Sequence, residues 1–489
     1  MNDKVIIRRL PTGVPGFDEL LGGGIPEFSF NLIAGSPGCG KTTLAHQIMF
    51  GLCGPERRAL YFTVLGEPPL KMLRYQQQFG FFDIDRISSS IRFVNLAEEA
   101  MSGDFDSVLG RIVAEVEAFS PGLVFVDSFR SVNEAVPNKA HEASSLQHLV
   151  QKLGMRLTGW QATTFLVGEY GLAESETNPV FTVADGLLWL TQSVHRNSMV
   201  RKVQVMKMRG QAQIPGLHTY RIDAAGIQVF PRVILRNEPT DTPPGEKRLA
   251  MGIAGLDAML GGGLPSGYSL LVAGPAGSGK TLLATAFLAE GARVGENGVI
   301  AQFEKRPRQS HSRVLDDLQA AGQLAVINTR ALDLSIDETL YEMVSQIERL
   351  QAKRVVIDSL SGFELALAPT FREDFRESLY RMVAVLTGMG VTVLMTSELE
   401  DRYTDLRFSP NGAAFLTDAI IVQRYIEVNS RLDRVMAVVK VRASQHVKEL
   451  RRFDIDASGI VIGEPMPQYE GLLAGRPERV ARIEQHDGS

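Results

Sequence analysis

Cysteine is nearly absent: the 489 residues hold two, Cys39 and Cys53. Two thiols build neither a disulfide framework nor a four-thiolate zinc centre. No apolar run approaches the roughly 18 residues of a membrane-spanning helix, and the opening MNDKVIIRRLPTG lacks the apolar core of a secretory signal. A strong charge of either sign is also missing. Lys and Arg number 51 against 56 Asp and Glu, a formal net charge of −5 that supplies no global drive toward nucleic acid or an anionic membrane. These absences predict a soluble, cytoplasmic protein with no nucleic-acid or membrane partner. Apolar residues at 44% and charged residues at 22% are close to the globular average, which argues against disordered, collagen-like or coiled-coil chains. At roughly 100–200 residues per domain the length allows two to four domains. One compositional lead remains: many of the 46 glycines fall in two distant clusters.

Those clusters expose a duplication. TGVPGFDELLGGGIP from Thr12 matches MGIAGLDAMLGGGLP from Met251 without a gap, and the same offset carries GSPGCGKT (Gly35–Thr42) onto GPAGSGKT (Gly274–Thr281). Downstream, VFVDSF pairs Asp127 with Asp358 of VVIDSL, and VADGLLWL pairs Asp185 with Asp418 of LTDAIIVQ. KMRG (207–210) matches KVRA (440–443), and YRIDAAGI matches FDIDASGI. A period this long is a whole domain rather than a solenoid repeat. Between the copies, PRVILRNEPTDTPPGEKR carries four prolines and several charges, the composition of a linker. The expected domains are 1–236 and 246–489, joined by 237–245. Within each, apolar runs of strand length alternate with amphipathic helical stretches, the pattern of a mostly parallel sheet covered on both faces. Strands that follow one another by short turns after Asp185 and Asp418 predict an antiparallel extension at one edge. The segment 74–83, RYQQQFGFFD, reads as a surface helix ending in an apolar anchor.

Each GxxxxGK[ST] lies between a predicted strand and a predicted helix, the context in which such a loop cradles a polyphosphate. Glycines let successive N–H groups turn toward the phosphates, and the helix N-terminus adds favourable partial charge. The nucleotide-binding candidates are Gly35, Ser36, Pro37, Gly38, Cys39, Gly40, Lys41, Thr42 and Thr43 in the first copy. In the second they are Gly274, Pro275, Ala276, Gly277, Ser278, Gly279, Lys280, Thr281 and Leu282. Lys41 and Lys280 would reach the β- and γ-phosphates of ATP, and Thr42 and Thr281 would place a hydroxyl on Mg²⁺. Asp127 and Asp358 end apolar strands downstream, where a carboxylate reaches the metal through water. Cys39 matches Ser278, so it reads as a small tolerated residue rather than a redox centre.

These residues together resemble the KaiC-like family, the double-domain ATPases of circadian clocks and their wider relatives. The glycine-rich lead-in, both phosphate loops, both VDS/IDS segments and the KxR pair near each domain's end carry the likeness over nearly the whole chain. The resemblance implies an α/β fold: a tandem duplication of RecA-like P-loop NTPase domains, each a mostly parallel sheet flanked by helices. It also implies a homohexamer with ATP between neighbouring subunits, and a signalling or clock-type protein partner. Lys207 and Arg209, with Lys440 and Arg442, would then reach the γ-phosphate of the adjacent subunit.

The departures from that family carry information too. Where the family has paired glutamates to activate water or a hydroxyl, the first copy reads Leu65-Gly66 with Glu67 one place later, and the second keeps Glu304 followed by Lys305. A residue shifted by one along a strand faces the other side of the sheet. Hydrolysis is therefore expected to be weaker or differently built in the first copy. Glu169 and Glu398 end another strand in both copies and are candidate sensors. The family's autophosphorylated Ser and Thr fall on Ala414 and Phe415, which carry no hydroxyl, so Ser/Thr autokinase activity of the clock type is not expected. Three functions stay open: an ATP hydrolase on a double-ring hexamer, a nucleotide-gated assembly scaffold with little turnover, and a DNA-acting RecA relative. The last would show salt-dependent affinity for single-stranded DNA.

Overall fold

The computed structural model describes residues 7–64, 69–101, 105–128, 152–153, 155–156, 159–176, 178–195, 198–233, 247–303, 313–328, 334–372, 375–399, 416–428, 430–467, 469–470 and 478–479. The chain divides into two compact units, Met1–Arg232 and Val233–Ser489. Among the described residues, no helix is long and apolar enough to cross a membrane.

Nine strands make the sheet of the first unit: β1 (Phe30–Gly35), β2 (Ala59–Thr63), β3 (Ile91–Asn95), β4 (Leu123–Asp127), β5 (Thr163–Glu169), β6 (Gly186–His195), β7 (Ser198–Met208), β8 (His218–Asp223) and β9 (Gly226–Phe230). Their order is β3-β2-β4-β5-β1-β6-β7-β8-β9. The six from β3 to β6 are parallel, and β7, β8 and β9 add an antiparallel ribbon at one edge. Residues FNLIAG of β1 and ALYFT of β2 are buried at every position, as strands covered on both faces must be.

The second unit repeats the plan with β10 (Ser269–Gly274), β11 (Gly298–Gln302), β12 (Leu324–Asn328), β13 (Arg354–Asp358), β14 (Thr392–Glu398), β15 (Ala419–Val428), β16 (Arg431–Val441), β17 (Arg451–Asp456) and β18 (Gly459–Pro465). Its order, β12-β11-β13-β14-β10-β15-β16-β17-β18, is that of the first sheet strand for strand. The tandem α/β architecture expected from the repeat, with its antiparallel edge, is the one observed.

Alternation along the strands divides the first unit's core in two. Ile33, Tyr61, Phe125 and Phe165 pack with the helix Lys41–Leu52 on one face, whereas Leu32, Leu60, Phe62 and Val124 pack with the helix Phe105–Phe119 on the other. That second helix buries Val108, Leu109, Ile112 and Val116, a single stripe at helical spacing. The segment 74–83 keeps its expected apolar anchor behind a shorter helix. Its helix, Pro69–Gln76, stops early, and Phe81 and Phe82 reach Phe50 with ring centroids 6.0 and 5.3 Å apart.

The glycine triplets have a conformational cause. Gly22, Gly23 and Gly24 hold φ of 77°, 119° and 114°, and Gly261, Gly262 and Gly263 hold 74°, 103° and 112°. Three left-handed residues in succession turn the chain from a short helix into a two-residue strand, and a Cβ disfavours each of them. Asp18 and Asp257 brace the same lead-in, accepting the N–H of Thr12 at 2.8 Å and of Met251 at 2.6 Å.

One core feature belongs to the first unit alone. Phe93, Tyr61, Phe125 and Phe165 stand in register on four neighbouring strands, with successive centroids 5.5, 5.7 and 4.8 Å apart. His46 of the helix above stacks on Tyr61 at 4.5 Å and 11°. The matching positions of the second sheet hold Val326, Ile300, Val356 and Leu394, under Thr285.

Burial pushes the His46 imidazole down from 6.5 to about 3. Between those values the unfolded chain takes up a proton that the folded unit refuses, so stability falls as pH drops from 6.5 toward 3, by up to about 1.4 kcal/mol per pH unit. Hydrogen exchange should accordingly show the Lys41–Leu52 amides losing about 1.6 kcal/mol of protection between pH 6.5 and pH 5. His46→Phe should flatten that slope. An unchanged slope in the variant removes His46 as its source.

Candidate functional site

Both phosphate loops leave the carboxyl end of a central strand, β1 or β10, and enter a long helix at its first turn. The first helix is Lys41–Leu52 and the second is Lys280–Arg293. Gly38 and Gly40 hold φ of 74° and 94°, and Gly277 and Gly279 hold 74° and 97°. A Cβ on Gly40 would lie 2.5 Å from Ile222 Cδ1, and one on Gly279 would lie 2.8 Å from Ile455 Cδ1. Conformation and space therefore both require glycine there. Thr43 and Leu282 follow within the first helical turn.

The loop lysines turn back over their own loops. Lys41 Nζ donates to Ser36 O at 2.8 Å and lies 3.7 Å from Glu169 Oε1. Lys280 Nζ donates to Gly274 O at 2.8 Å and to Pro275 O at 2.7 Å. Burial lowers the Lys280 pKa, and the carboxylates of Glu398 and Asp358 oppose that shift. Glu169 and Glu398 end strands β5 and β14 in register with Gly35 and Gly274, so both candidate sensors stand beside a phosphate loop.

Asp127 ends β4 in register with Val167 of β5. Its Oδ2 accepts the Thr42 hydroxyl and the Tyr61 hydroxyl, each at 2.8 Å. Burial raises its pKa, and those two bonds and the Lys41 charge pull the other way. Asp358 ends β13 and is 4% exposed, and its Oδ1 accepts the hydroxyl of Thr396. The peptide bond after each aspartate is cis. Thr42 and Asp127 thus offer oxygen donors only, the set a hard divalent cation takes alongside phosphate and water. Among the described residues, no cluster of three or more His, Cys, Asp or Glu stands ready to hold a metal.

The KxR cations lie at the other end of the sheet. Met208 is opposite Gly186, which neighbours Asn31, four residues or about 13 Å below Gly35. Lys207 Nζ donates to Thr182 O at 3.1 Å, and Arg209 Nη1 to Asp185 Oδ1 at 3.0 Å. The second unit repeats this with Lys440 on Thr417 O at 2.6 Å and Arg442 on Asp418 Oδ1 at 3.4 Å. Each guanidinium stays mostly exposed. The structure thus brings lysine, threonine and aspartate together in the first unit and holds the KxR pair apart from them. Glu67, Glu304, Ala414 and Phe415 lie outside the described residues.

Several loop supports are invisible to motif reading. In the first unit Gln192 Nε2 donates to Pro37 O at 3.0 Å, and the Tyr220 hydroxyl donates to Cys39 O. In the second, the Ser278 hydroxyl donates to Gln423 Oε1 at 2.9 Å. Burial also pushes the Cys39 thiol up, away from the thiolate, which agrees with its reading as a packing residue. Tyr61 and Thr396, the hydroxyls on the aspartates, carried one sequence signal: each is a polar group at a repeat position where the other copy is aliphatic.

Comparison with known proteins identifies the family. The family model described as "ATPase: KaiC" matches residues 10–234 and again 249–466. The circadian clock oscillator protein KaiC of Rippkaea orientalis is 26% identical, over 98% of this chain and 94% of that protein. The circadian clock protein KaiC3 of Synechocystis sp. is 28% identical, over 98% of this chain and 96% of its own length. Two matches to one domain model, placed on two sheets of identical strand order with a phosphate loop in each, make this chain a member of the KaiC ATPase family.

Proposed function

We propose that the chain binds Mg²⁺ and ATP at both loops and hydrolyses ATP, mainly in the second unit, as a double-ring homohexamer with nucleotide between neighbouring subunits. What carries this reading is the pair of matching constellations: a lysine, a threonine and an aspartate at equivalent places in both copies of the fold.

The roles follow from chemistry. Loop N–H groups and Lys41 or Lys280 hold the polyphosphate, while Thr42 with Asp127, and Thr281 with Asp358, hold Mg²⁺. The bound cation neutralises charge on the phosphate oxygens. Glu304 orients the attacking water in the second unit. Glu67, one place out of register, does so poorly in the first, which serves assembly more than turnover. Lys207 with Arg209, and Lys440 with Arg442, face away from their own loops and so act on the nucleotide of a neighbouring copy. A cation supplied in trans accelerates phosphoryl transfer by about 10³–10⁵ in other systems, so assembly and turnover are coupled here. A signalling or clock-type protein would read the nucleotide state. A scaffold with little hydrolysis is the second reading, favoured in the first unit by Leu65-Gly66 in place of a glutamate pair.

Lys280→Ala should abolish most phosphate release, and Lys41→Ala should mainly reduce assembly by light scattering with ATP. Loss of all hydrolysis in Lys41→Ala with assembly intact reverses that division of labour. Mixing Arg442→Ala subunits with Lys280→Ala subunits should restore turnover that neither variant has alone. No recovery in mixed assemblies places Arg442 in its own subunit's site or outside catalysis. Incubation with labelled ATP and Mg²⁺ should leave the peptide 405–418 without abundant phosphate; its heavy labelling would establish the autokinase cycle.

A further inference from the structure

We propose that the hydroxyls of Tyr61 and Thr396 are positioning residues, each fixing the carboxylate of its unit's metal-site aspartate, from opposite sides of the aspartate strand. The proposal rests on the reading of Asp127 and Asp358 as Mg²⁺ sites and deepens it.

In the first unit β4 lies between β2 and β5, with Asp127 opposite Thr63 on one side and Val167 on the other. Tyr61 is two residues before Thr63 and so shares its face of the sheet. From there its long side chain reaches diagonally to Asp127 Oδ2 at 2.8 Å. The ring is fully buried and held between His46 at 4.5 Å and Phe125 at 5.7 Å, so the hydroxyl has little freedom to leave. Thr42 donates to the same oxygen. Because Thr42 is itself assigned to the cation, Tyr61 is the donor that keeps the carboxylate in place.

The second unit inverts this arrangement. The position of Tyr61 is Ile300, which has no hydroxyl, and the position of Val167 is Thr396. Thr396 is buried and donates to Asp358 Oδ1 from β14, the strand on the other side. Each copy therefore supplies a neighbouring-strand hydroxyl to its aspartate and an aliphatic group at the alternative place. A carboxylate restrained by such a bond presents its free lone pairs in one direction, and loss of a partner of this kind commonly reduces metal affinity about 10–100-fold.

The test uses the full chain in a Lys280→Ala background, so that a fluorescent ADP analogue reports the first site. Mg²⁺ is titrated at fixed nucleotide, and binding is measured separately in EDTA. Tyr61→Phe should raise the Mg²⁺ midpoint about tenfold and leave binding in EDTA unchanged within about twofold. Adding Val167→Thr, which moves the hydroxyl to the side used by the second unit, should restore most of the midpoint. An unchanged midpoint, or equal losses with and without Mg²⁺, overturns the proposal, as does failure of Val167→Thr to rescue. A second arm, Thr396→Val in a Lys41→Ala background at a protein concentration where light scattering shows that parent assembled, must raise the Mg²⁺ midpoint of the other site. It decides the matter if Tyr61→Phe does not fold. If the parent with Tyr61 intact binds no nucleotide at any Mg²⁺ concentration, the nucleotide reading falls, and the proposal with it.

Discussion

An ammonium group withdrawn from water must find acceptors, and the loop lysines, Lys41 buried and Lys280 half-buried, find them in their own loops. Lys41 is 7% exposed and bonds Ser36 O, with Glu169 nearby, and Lys280 bonds two carbonyls at the start of its loop. An unpaired charge in that place would be strongly destabilising, so the loop has to curl around the side chain. The left-handed glycines make that curl possible, and the strand ends of β5 and β14 bring a carboxylate close enough to balance the charge. The parallel centre of the sheet serves this arrangement. Only parallel neighbours deliver the loop, the aspartate and the glutamate to one edge together.

With that geometry kept, the two copies have exchanged the chemistry around it. The first seats Cys39 near Leu190 and anchors the loop through Tyr220, whereas the second pairs Ser278 with Gln423 and has Phe453 in place of the tyrosine. The polar and apolar members change together, because a buried hydroxyl without a partner costs more than the bond itself returns. The aspartates follow the same rule through Tyr61 and Thr396. The aromatic ladder of Phe93, Tyr61, Phe125 and Phe165 gives the first unit a rigid base for a long-reaching hydroxyl. The aliphatic second sheet uses a short threonine next door.

What is legible in the sequence is what is local. Gly35–Thr42 and Gly274–Thr281 complete a recognisable loop motif within eight residues, and the strand runs announce a parallel sheet because both faces are covered. The antiparallel ribbon is legible from strands joined by short turns. Tyr61 and Asp127 are 66 residues apart, and their bond exists only because β2 and β4 pair in one register. The same holds for Gln192 on Pro37 and for Thr396 on Asp358, where a one-residue slip would turn the side chain to the other face. The early end of the helix at Gln76 reflects tertiary packing: Phe81 and Phe82 reach Phe50 only if the chain leaves helical geometry first.

Sheet topology also limits what one unit can do alone. The KxR pair stands at the amino end of β1 or β10 and the phosphate loop at the carboxyl end, so no rotamer joins them. On the proposed reading, a site that uses both needs a second copy, and a closed homomeric ring supplies one to every subunit. Asp185 links the two ends within a unit. Its Oδ1 accepts Arg209 and its Oδ2 accepts the N–H of Phe30 at 3.1 Å, the first residue of the strand that leads to the loop. Asp418 bonds Arg442 and the N–H of Ser269 in the same way. The outward-facing cation is thus tied, through one carboxylate, to the strand that carries the subunit's own nucleotide loop. On the proposed reading of a ring, the cation offered to a neighbour and the strand behind the subunit's own loop therefore share one carboxylate.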